Sequence, residues 1–247
     1  MSDIPSWWLV VPAAGNGQRM KAQLPKQYLP MGGDQPMLAI TLARFANLPG
    51  LQGVVLALAE NDSRKLDWLP DMSVPVLTVT GGVERSISVR HALTAVAALD
   101  HPKSWVLVHD AARPCVRPED VLRLLTLGSL GDGGILGTPV RDTMKRVSAD
   151  GVIETTVSRE RLYHALTPQM FRLGPLMKAL DSAHADGFIV TDEASAMERL
   201  GYRPRLVEGS PDNIKVTYPE DLALAIEILR AQGVLPADLS HTEGVSV

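Results

Sequence analysis

The stretch that decides the fold is residues 7–20, which read WWLVVPAAGNGQRM. It opens with apolar residues that do not alternate with polar ones, the pattern of a strand buried on both faces of a mainly parallel sheet. Small residues and glycines follow at 12–17, and such a loop lets a ligand approach the backbone closely. Its exposed N–H groups can hold phosphate oxygens. The stretch therefore predicts a strand followed by an anion-binding loop.

The charge around this loop favours a polyphosphate ligand. Residues 4–33 contain no Asp or Glu but carry Arg19, Lys21 and Lys26, in a chain whose formal net charge is −4. Glycines at this spacing alone also fit a structural tight turn. Two other nucleotide motifs are excluded by spacing, since the Gly-Lys-Ser/Thr ending of a P-loop is absent and Met20 stands where a dehydrogenase loop needs glycine.

Further apolar runs predict the rest of the sheet. They lie at residues 53–58, 74–79, 105–108 and 134–138. Stretches with helical spacing or helix-start signals lie at 38–47, 86–99, 118–127 and 219–232, and a further helix follows Thr191, interpreted as its N-cap. This alternation predicts an α/β protein, a layered sandwich with a mainly parallel sheet. Ligands of such folds bind at the carboxyl ends of the strands.

The middle of the chain predicts a projecting β-arm. Two β-rich runs, 143–147 and 152–157, flank the dipeptide Asp150-Gly151, which favours a hairpin turn. We interpret residues 139–164 as this arm, while an ordinary edge hairpin stays open from the pattern alone. Residues 1–235 then form a single domain, and residues 236–247 lack periodicity and are expected to be a flexible tail.

Composition excludes several classes of function. Lys and Arg number 24 against 28 Asp and Glu, without the basic excess of a nucleic-acid or anionic-membrane binder. The single cysteine, Cys115, cannot form an internal disulfide, which fits a reducing compartment. The N-terminus has no basic segment like that of a secretory signal, and no apolar run approaches the roughly 20 residues of a membrane helix. We expect a cytoplasmic protein without nucleic-acid or membrane partners.

Charged residues near predicted strand ends are candidates for the chemistry. Asp110 follows the run 105–108, where a carboxylate can hold a divalent cation over a nucleotide, although a lone Asp is also a common helix cap. Lys215 stands between two apolar residues, so a strand could carry its ammonium inward, and a solvent-facing lysine is the alternative. His109 has no nucleophile nearby in the sequence, which favours a structural role. Arg159 fits a surface salt bridge.

Several long motifs in a fixed order carry a family resemblance. They occupy residues 12–20 with 25–28, 81–85 with 88–89, 109–114, 139–145, 164–169, 191–195 and 212–215. On these motifs, residues 7–232 resemble the 2-C-methyl-D-erythritol 4-phosphate cytidylyltransferases of the non-mevalonate isoprenoid pathway. The resemblance implies a Rossmann-like sandwich of nucleotidyltransferase type. It also implies transfer of a cytidylyl group from CTP to methylerythritol phosphate, release of pyrophosphate, and Mg²⁺ or another divalent cation as cofactor.

The resemblance further implies roles for particular residues. The catalytic cations would be Arg19, Lys26 and Lys215, and Asp110 would bind the metal. The nucleotide-binding set would be Pro12, Ala13, Ala14, Gly15, Asn16, Gly17, Gly82, Ser88 and Asp110. The arm would join two chains in a homodimer. Thr143 and Arg159 would thereby reach across to a substrate pocket that contains Arg113, Thr167 and Thr191.

One position departs from the family pattern, and two other functions stay open. Val83 stands where relatives often carry a polar or acidic residue. The change is harmless if the contact there is through the backbone and affects base selectivity if a side chain is needed. Ribitol 5-phosphate cytidylyltransferases share the nucleotide loop, and a nucleotide-binding protein without activity would be expected to lack Lys26, Asp110 or Lys215. A fused downstream enzyme is not expected within 247 residues.

Overall fold

A computed structural model describes residues 4–15, 20, 24–62 and 68–236. The strands within them are β1 (Trp7–Pro12), β2 (Leu51–Leu58), β3 (Val76–Thr80), β4 (Trp105–Val108), β5 (Gly134–Pro139), β6 (Met144–Val147), β7 (Ile153–Val157), β8 (Tyr163–Arg172) and β9 (Arg205–Glu208). The helices are α1 (Met37–Ala43), α2 (Arg85–Ala97), α3 (Pro118–Gly128), α4 (Leu173–Ala185), α5 (Glu193–Arg199) and α6 (Pro219–Ala231). All of the predicted tail except residue 236 lies outside this part of the chain.

Seven strands form one sheet in the order β3-β2-β1-β4-β8-β5-β9. The pairs β2–β3, β1–β2, β1–β4 and β5–β9 are parallel, whereas β8 is antiparallel to both β4 and β5. The predicted α/β class with a mainly parallel sheet is confirmed. Because β1, β2, β3 and β4 run in the same direction, their carboxyl ends meet at one edge of the sheet.

Helices cover both faces of this sheet. On one face Leu9 and Val11 belong to a buried apolar cluster that includes residues of α1 and α3. On the other face Trp8 and Val10 belong to a cluster that includes residues of α2 and α4. Burial on both faces explains why β1 reads as a continuous apolar run instead of an alternating one. Among the described helices, none is both long and apolar enough to cross a membrane.

The arm is a two-stranded antiparallel sheet made of β6 and β7, and it is separate from the seven-stranded sheet. It leaves the large sheet between β5 and β8, where Val140 N donates to Leu162 O at 3.0 Å. All of β6 and all of β7 except its last residue are exposed. The hairpin therefore projects from the sheet and does not extend its edge.

Two local predictions differ from the structure. Thr191 is exposed and is not the N-cap of α5; Asp192 is, and its side chain accepts a hydrogen bond from Ser195 N at 2.9 Å. The predicted strand around Lys215 is a loop, held to the end of β4 by the bond from Val216 N to Ala112 O at 2.8 Å. At the start of α5, the cap formed by Asp192 replaces the cap expected at Thr191. Next to Lys215, a backbone hydrogen bond from Val216 to the segment after β4 replaces the strand that was expected.

Candidate active site

A cavity of about 930 Å³ opens at the sheet edge where β1, β2, β3 and β4 end. Its wall comes from the segments that follow these strands, together with the start of α2 and the loop before α6. The lining residues are Pro12, Ala13, Ala14, Gly15, Lys26, Gln27, Ala59, Glu60, Gly81, Gly82, Val83, Glu84, Arg85, Ser88, Asp110, Ala111, Ala112, Lys215 and Thr217. The cavity lies where the strand order of such a fold places a ligand.

The loop after β1 is tied to the sheet edge by buried hydrogen bonds. Ala13 N donates to Ala57 O at 2.8 Å, and Gln27 Nε2 donates to Ala13 O at 2.7 Å. Lys26 and Gln27 belong to a short 3-10 turn that follows the loop in the chain. The described part of the loop, residues 12–15, is thus fixed against β2 and against the segment that carries Lys26.

The wall after β3 is packed so closely that only glycine fits at two positions. A Cβ at Gly81 would lie 2.4 Å from Ala14 Cβ, and one at Gly82 would lie 2.2 Å from Ile87 Cγ2. Gly82 N donates to Ser88 Oγ at 3.0 Å, so the side chain of Ser88 holds the backbone of this wall. The side chain of the next residue, Val83, is 96% exposed.

Three cations surround the buried carboxylate of Asp110. Arg85 Nε donates to Oδ1 at 2.9 Å, Lys215 Nζ lies 2.9 Å from Oδ2, and Arg113 Nε lies 3.5 Å from Oδ2. Burial alone would raise the pKa of Asp110, but these cations outweigh it and hold the pKa well below its usual range. Asp110 is therefore an anion at neutral pH.

Arg85 connects Asp110 to a second buried carboxylate. Glu193, the first residue of α5, is fully buried and accepts hydrogen bonds from Arg85 Nη1 at 2.6 Å and from Nη2 at 3.1 Å. Burial tends to lower the pKa of Arg85, and the two carboxylates outweigh it and raise that pKa above its usual value. Sequence reasoning gave neither residue a role. The signal that could have found them is that they lie in two of the motifs, 81–85 and 191–195, that carry the family resemblance.

Lys26 and Lys215 reach the cavity from two segments that bond to each other. Lys26 Nζ donates to Val216 O at 3.2 Å. The loop that carries Lys215 is also held by Asn213, whose Nδ2 donates to Thr167 O at 2.8 Å and whose carbonyl accepts from Arg113 Nη1 at 2.7 Å. These bonds present both ammonium groups on one side of the cavity.

His109 lies under the cavity and is fully buried. Its Nε2 is 3.1 Å from Arg113 O, and because a carbonyl only accepts, Nε2 carries the proton. Nδ1 is then the acceptor for Thr167 Oγ1 at 3.1 Å. Burial lowers the pKa of His109 to about 4, so the ring is neutral. This geometry agrees with the structural role that the sequence favoured.

The structure does not bring all the predicted site residues into this cavity. Nine of them line it: Pro12, Ala13, Ala14, Gly15, Lys26, Gly82, Ser88, Asp110 and Lys215. Arg113 and Thr167 lie beneath it with their polar groups bonded to the protein, while Thr143, Arg159 and Thr191 are exposed elsewhere. Asn16, Gly17 and Arg19 lie outside the described residues.

Three carboxylates line the cavity, those of Glu60, Glu84 and Asp110, and of these only Asp110 is buried. The described residues contain no group of three or more His, Cys, Asp or Glu side chains that could hold a metal by themselves. Asp110 faces the cavity as an anion. Mg²⁺ commonly binds to one or two carboxylates together with the phosphates of its substrate. The donor set is suited to a cation that arrives with a nucleotide.

The strand order, the cavity at the strand ends and its cations are those of a nucleotidyltransferase. The family model of 2-C-methyl-D-erythritol 4-phosphate cytidylyltransferase matches residues 7–231, and the chain belongs to this family of enzymes.

Relatives with this name cover most of the chain. The protein of Xanthomonas euvesicatoria pv. vesicatoria is 52% identical over 220 residues, which are 88% of this chain and 83% of that protein. The protein of Aeromonas hydrophila is 50% identical over 234 residues, 94% of this chain and 93% of that protein. The crystal structure of the Francisella tularensis enzyme matches with a TM-score of 0.77 and 34% identity, covering 91% of this chain and all of that one.

Proposed function

We propose that the cavity binds CTP and that the enzyme transfers its cytidylyl group to 2-C-methyl-D-erythritol 4-phosphate. The products are 4-diphosphocytidyl-2-C-methyl-D-erythritol and pyrophosphate. The observation that carries this proposal is the convergence of Lys26, Lys215 and Arg85 around one cavity of nucleotide size.

The reaction needs cations more than it needs a base. The phosphate of the acceptor is already an anionic nucleophile, so its oxygen attacks the α-phosphorus of CTP in line while the bond to the bridging oxygen of pyrophosphate breaks. The barrier lies in bringing two polyanions together and in the charge that develops on the α-phosphate. Lys26 and Lys215 supply positive charge there, as pre-positioned cations do in electrostatic catalysis. Lys215 would exchange its contact with Asp110, at 2.9 Å, for one with phosphate.

The nucleotide loop and the wall after β3 would hold the rest of CTP. We propose that Ala14 and Gly15 bind phosphate oxygens through backbone N–H groups, together with Asn16, Gly17 and Arg19, while Pro12 and Ala13 border the nucleotide. Gly82 and Ser88 would contact the base or ribose through close backbone approach. Val83 borders the cavity at this wall and is 96% exposed, so a ligand could reach its backbone.

Asp110 is the residue that we propose to hold Mg²⁺ or another divalent cation. When bound, such an ion neutralises phosphate charge and orients the triphosphate. Arg85 keeps Oδ1 of the carboxylate in a fixed position, and exchange of Lys215 onto phosphate would leave Arg113 Nε, at 3.5 Å, as the remaining cation near Oδ2.

The exposed apolar residues of the arm are the observation that supports a homodimer. Val147, Val152 and Ile153 expose more than half of their side-chain surface on it, and a contiguous exposed apolar surface marks an interaction site. We propose that the arm of one subunit carries Thr143 and Arg159 to the substrate pocket of the other.

That substrate pocket would be completed by Arg113, Thr167 and Thr191. Thr191 is exposed and therefore accessible to a ligand. Arg113 and Thr167 bond protein groups in this structure, so their contact with substrate requires that these bonds exchange. The reaction would take place in the cytoplasm, with no nucleic-acid or membrane partner.

The test is pyrophosphate release with Mg²⁺ in a matrix of two nucleotides, CTP and ATP, and two acceptors, methylerythritol 4-phosphate and ribitol 5-phosphate. We expect turnover only with CTP and methylerythritol 4-phosphate. Turnover with ribitol 5-phosphate would support the proposed cytidylyl transfer but would contradict methylerythritol 4-phosphate as the specific acceptor. Absence of release with both acceptors would contradict the proposal as a whole.

A further inference from the structure

Glu193 is a buried carboxylate outside the cavity that bonds an arginine inside it. Both of its oxygens accept from the Nη groups of Arg85, whose Nε donates to Asp110. Glu193 does not line the cavity, so it cannot touch a nucleotide there. We propose that Glu193 is a positioning residue that keeps Arg85 on Asp110 when nucleotide binds, which leaves Lys215 as the cation that moves to the phosphate. This inference rests on the proposed function.

The argument begins with competition for cations. A triphosphate that enters the cavity competes with Asp110 for the cations around it, and a guanidinium is a better phosphate ligand than an ammonium because it binds bidentately. Arg85 would therefore be expected to leave Asp110 first. Its Nη1–Nη2 edge already binds Glu193 and its Nε already donates to Asp110, so no complete pair of N–H donors is left for bidentate binding of phosphate.

Breaking the pair between Arg85 and Glu193 is much less favourable than moving Lys215. Glu193 is fully buried, and losing its partner would leave an uncompensated charge inside the protein. The side chain of Lys215 is 38% exposed and makes one contact with Asp110, so water can replace it. Asp110 therefore has a fixed cation, Arg85, on Oδ1 and a movable cation, Lys215, on Oδ2.

The position of Glu193 is itself set by the central sheet. Gln169 of β8 pairs with Val108 of β4, two residues before Asp110. Its Oε1 accepts from Ala194 N at 2.9 Å, and its Nε2 donates to Asp192 Oδ2 at 2.8 Å, which anchors the first turn of α5. Both carboxylates that hold Arg85 are therefore attached to neighbouring strands, and the guanidinium lies between two fixed points.

The first test is Glu193→Gln, which keeps the size of the side chain and removes its charge. We expect kcat at saturating substrates to fall by about 10- to 100-fold, as when a residue that orients a ligand is lost. We expect the Kd of CTP, measured without acceptor, to be unchanged or lower, since the released Arg85 gains a phosphate contact. A parallel loss of kcat and of CTP affinity would indicate structural damage and would overturn the proposal.

Two further variants make the comparison specific. Asp181→Asn removes a similar partner from Arg90, which lies on the same helix as Arg85 and makes bonds of 2.6 and 3.0 Å, and neither Arg90 nor Asp181 lines the cavity. We expect both kcat and the Kd of CTP to stay at wild-type values in this control. Glu193→Asp keeps the charge and is expected to retain more of the wild-type kcat than Glu193→Gln. An equal loss in both Glu193 variants would contradict the role of charge.

Arg85→Lys covers the case in which Glu193→Gln does not fold. A lysine cannot bond both carboxylates as the guanidinium does, so we expect the same fall in kcat with CTP affinity retained. Wild-type kcat in Arg85→Lys would overturn the proposal.

A measurement without acceptor separates this proposal from the proposed function. The Nε–H resonance of Arg85, assigned by its loss in Arg85→Lys, can be followed by NMR as CTP and Mg²⁺ are added. We expect it to stay nearly in place in the wild type and to shift in Glu193→Gln. A shift of equal size in both proteins would overturn the positioning role, even where the acceptor proves to be another alcohol phosphate.

Discussion

The cavity and the arm place charged and apolar side chains in opposite ways. Around the cavity, charged groups such as Asp110 and Glu193 are buried and bonded to cations of the same chain. On the arm, apolar side chains such as Val152 and Ile153 are exposed. Buried charges require partners, and an exposed apolar surface gains stability when another surface covers it. The nucleotide half of the site is therefore assembled within one chain, whereas the arm is suited to contact with another.

The largest expected effect tests the first half of this contrast. Lys215→Ala removes a cation from the cavity, and the loss of one such electrostatic donor lowers kcat by about 10²- to 10³-fold, or up to about 4 kcal/mol. The melting temperature should change little, since the side chain is partly exposed. Pyrophosphate release and thermal unfolding check both points, with Lys178→Ala on the exposed face of α4 as control. A kcat within threefold of wild type would remove Lys215 from the mechanism.

The second effect concerns the buried floor of the cavity. The pKa of His109 is lowered to about 4 by burial, while an unfolded histidine titrates near 6.5. Between these values the unfolded state binds the extra proton, so stability is complete above about pH 6.5 and decreases as the pH falls toward 4. The contribution of this group is about 3 kcal/mol in the free energy of unfolding.

Urea unfolding at pH 7, 5.5 and 4.5 measures this dependence. His109→Gln should remove most of the slope between pH 7 and 4.5. Equal slopes in the wild type and in His109→Gln would show that His109 does not determine how the free energy of unfolding changes between pH 7 and 4.5.

The third effect tests the other half of the contrast. Ile153 is 61% exposed on the arm, so covering it contributes about 1 kcal/mol in each subunit, and Ile153→Glu should weaken a homodimer by about 2 kcal/mol in all, or about 30-fold in Kd. Leu224→Glu on α6, where the leucine is 52% exposed, is the matched control and should leave the dimer intact. Sedimentation velocity over a dilution series measures both. An unchanged oligomeric state in Ile153→Glu would exclude the arm as the dimer contact, and CTP affinity should be unchanged in either variant.

The smallest effect lies at the rim of the cavity. Val83 borders the cavity and is more exposed than the apolar residues of the arm. Val83→Ala should alter kcat/KM for CTP by less than twofold and stability by less than about 0.5 kcal/mol. Gly82→Ala, one position earlier, should weaken CTP binding because the added Cβ meets Ile87. A large effect of Val83→Ala would show that its side chain takes part in base selection.

The sequence predicted the elements that are buried throughout. The run at 105–108 coincides with β4, and the run at 7–11 lies within β1, because burial on both faces requires continuous apolar residues. β8 was not predicted, since its first three residues are exposed and its later ones are buried, so no single pattern covers it. The antiparallel direction of β8 results from the connection through the arm, and the amino-acid composition of the strand does not indicate it.

The cavity residues that lie next to apolar runs could be predicted from the sequence. The loop after β1, Asp110 and Lys215 follow or flank apolar runs, and the family motifs include them. The pair between Arg85 and Glu193 joins residues 108 positions apart. Nothing in either local sequence indicates the other partner, so only the folded structure, in which the side chains of these two residues meet, reveals the pair.

The tight wall at Gly81 and Gly82 has a consequence for compounds designed to fill this cavity. At either glycine, the Cβ of an alanine would lie within 2.4 Å of a neighbouring atom, so a substitution there would disturb the wall. An inhibitor that contacts this wall therefore binds a surface where substitutions are costly to the protein. Val83 beside it is free to accept almost any side chain. Drug-resistant variants should therefore arise at Val83, and a compound that makes no contact with that residue should keep its potency longest.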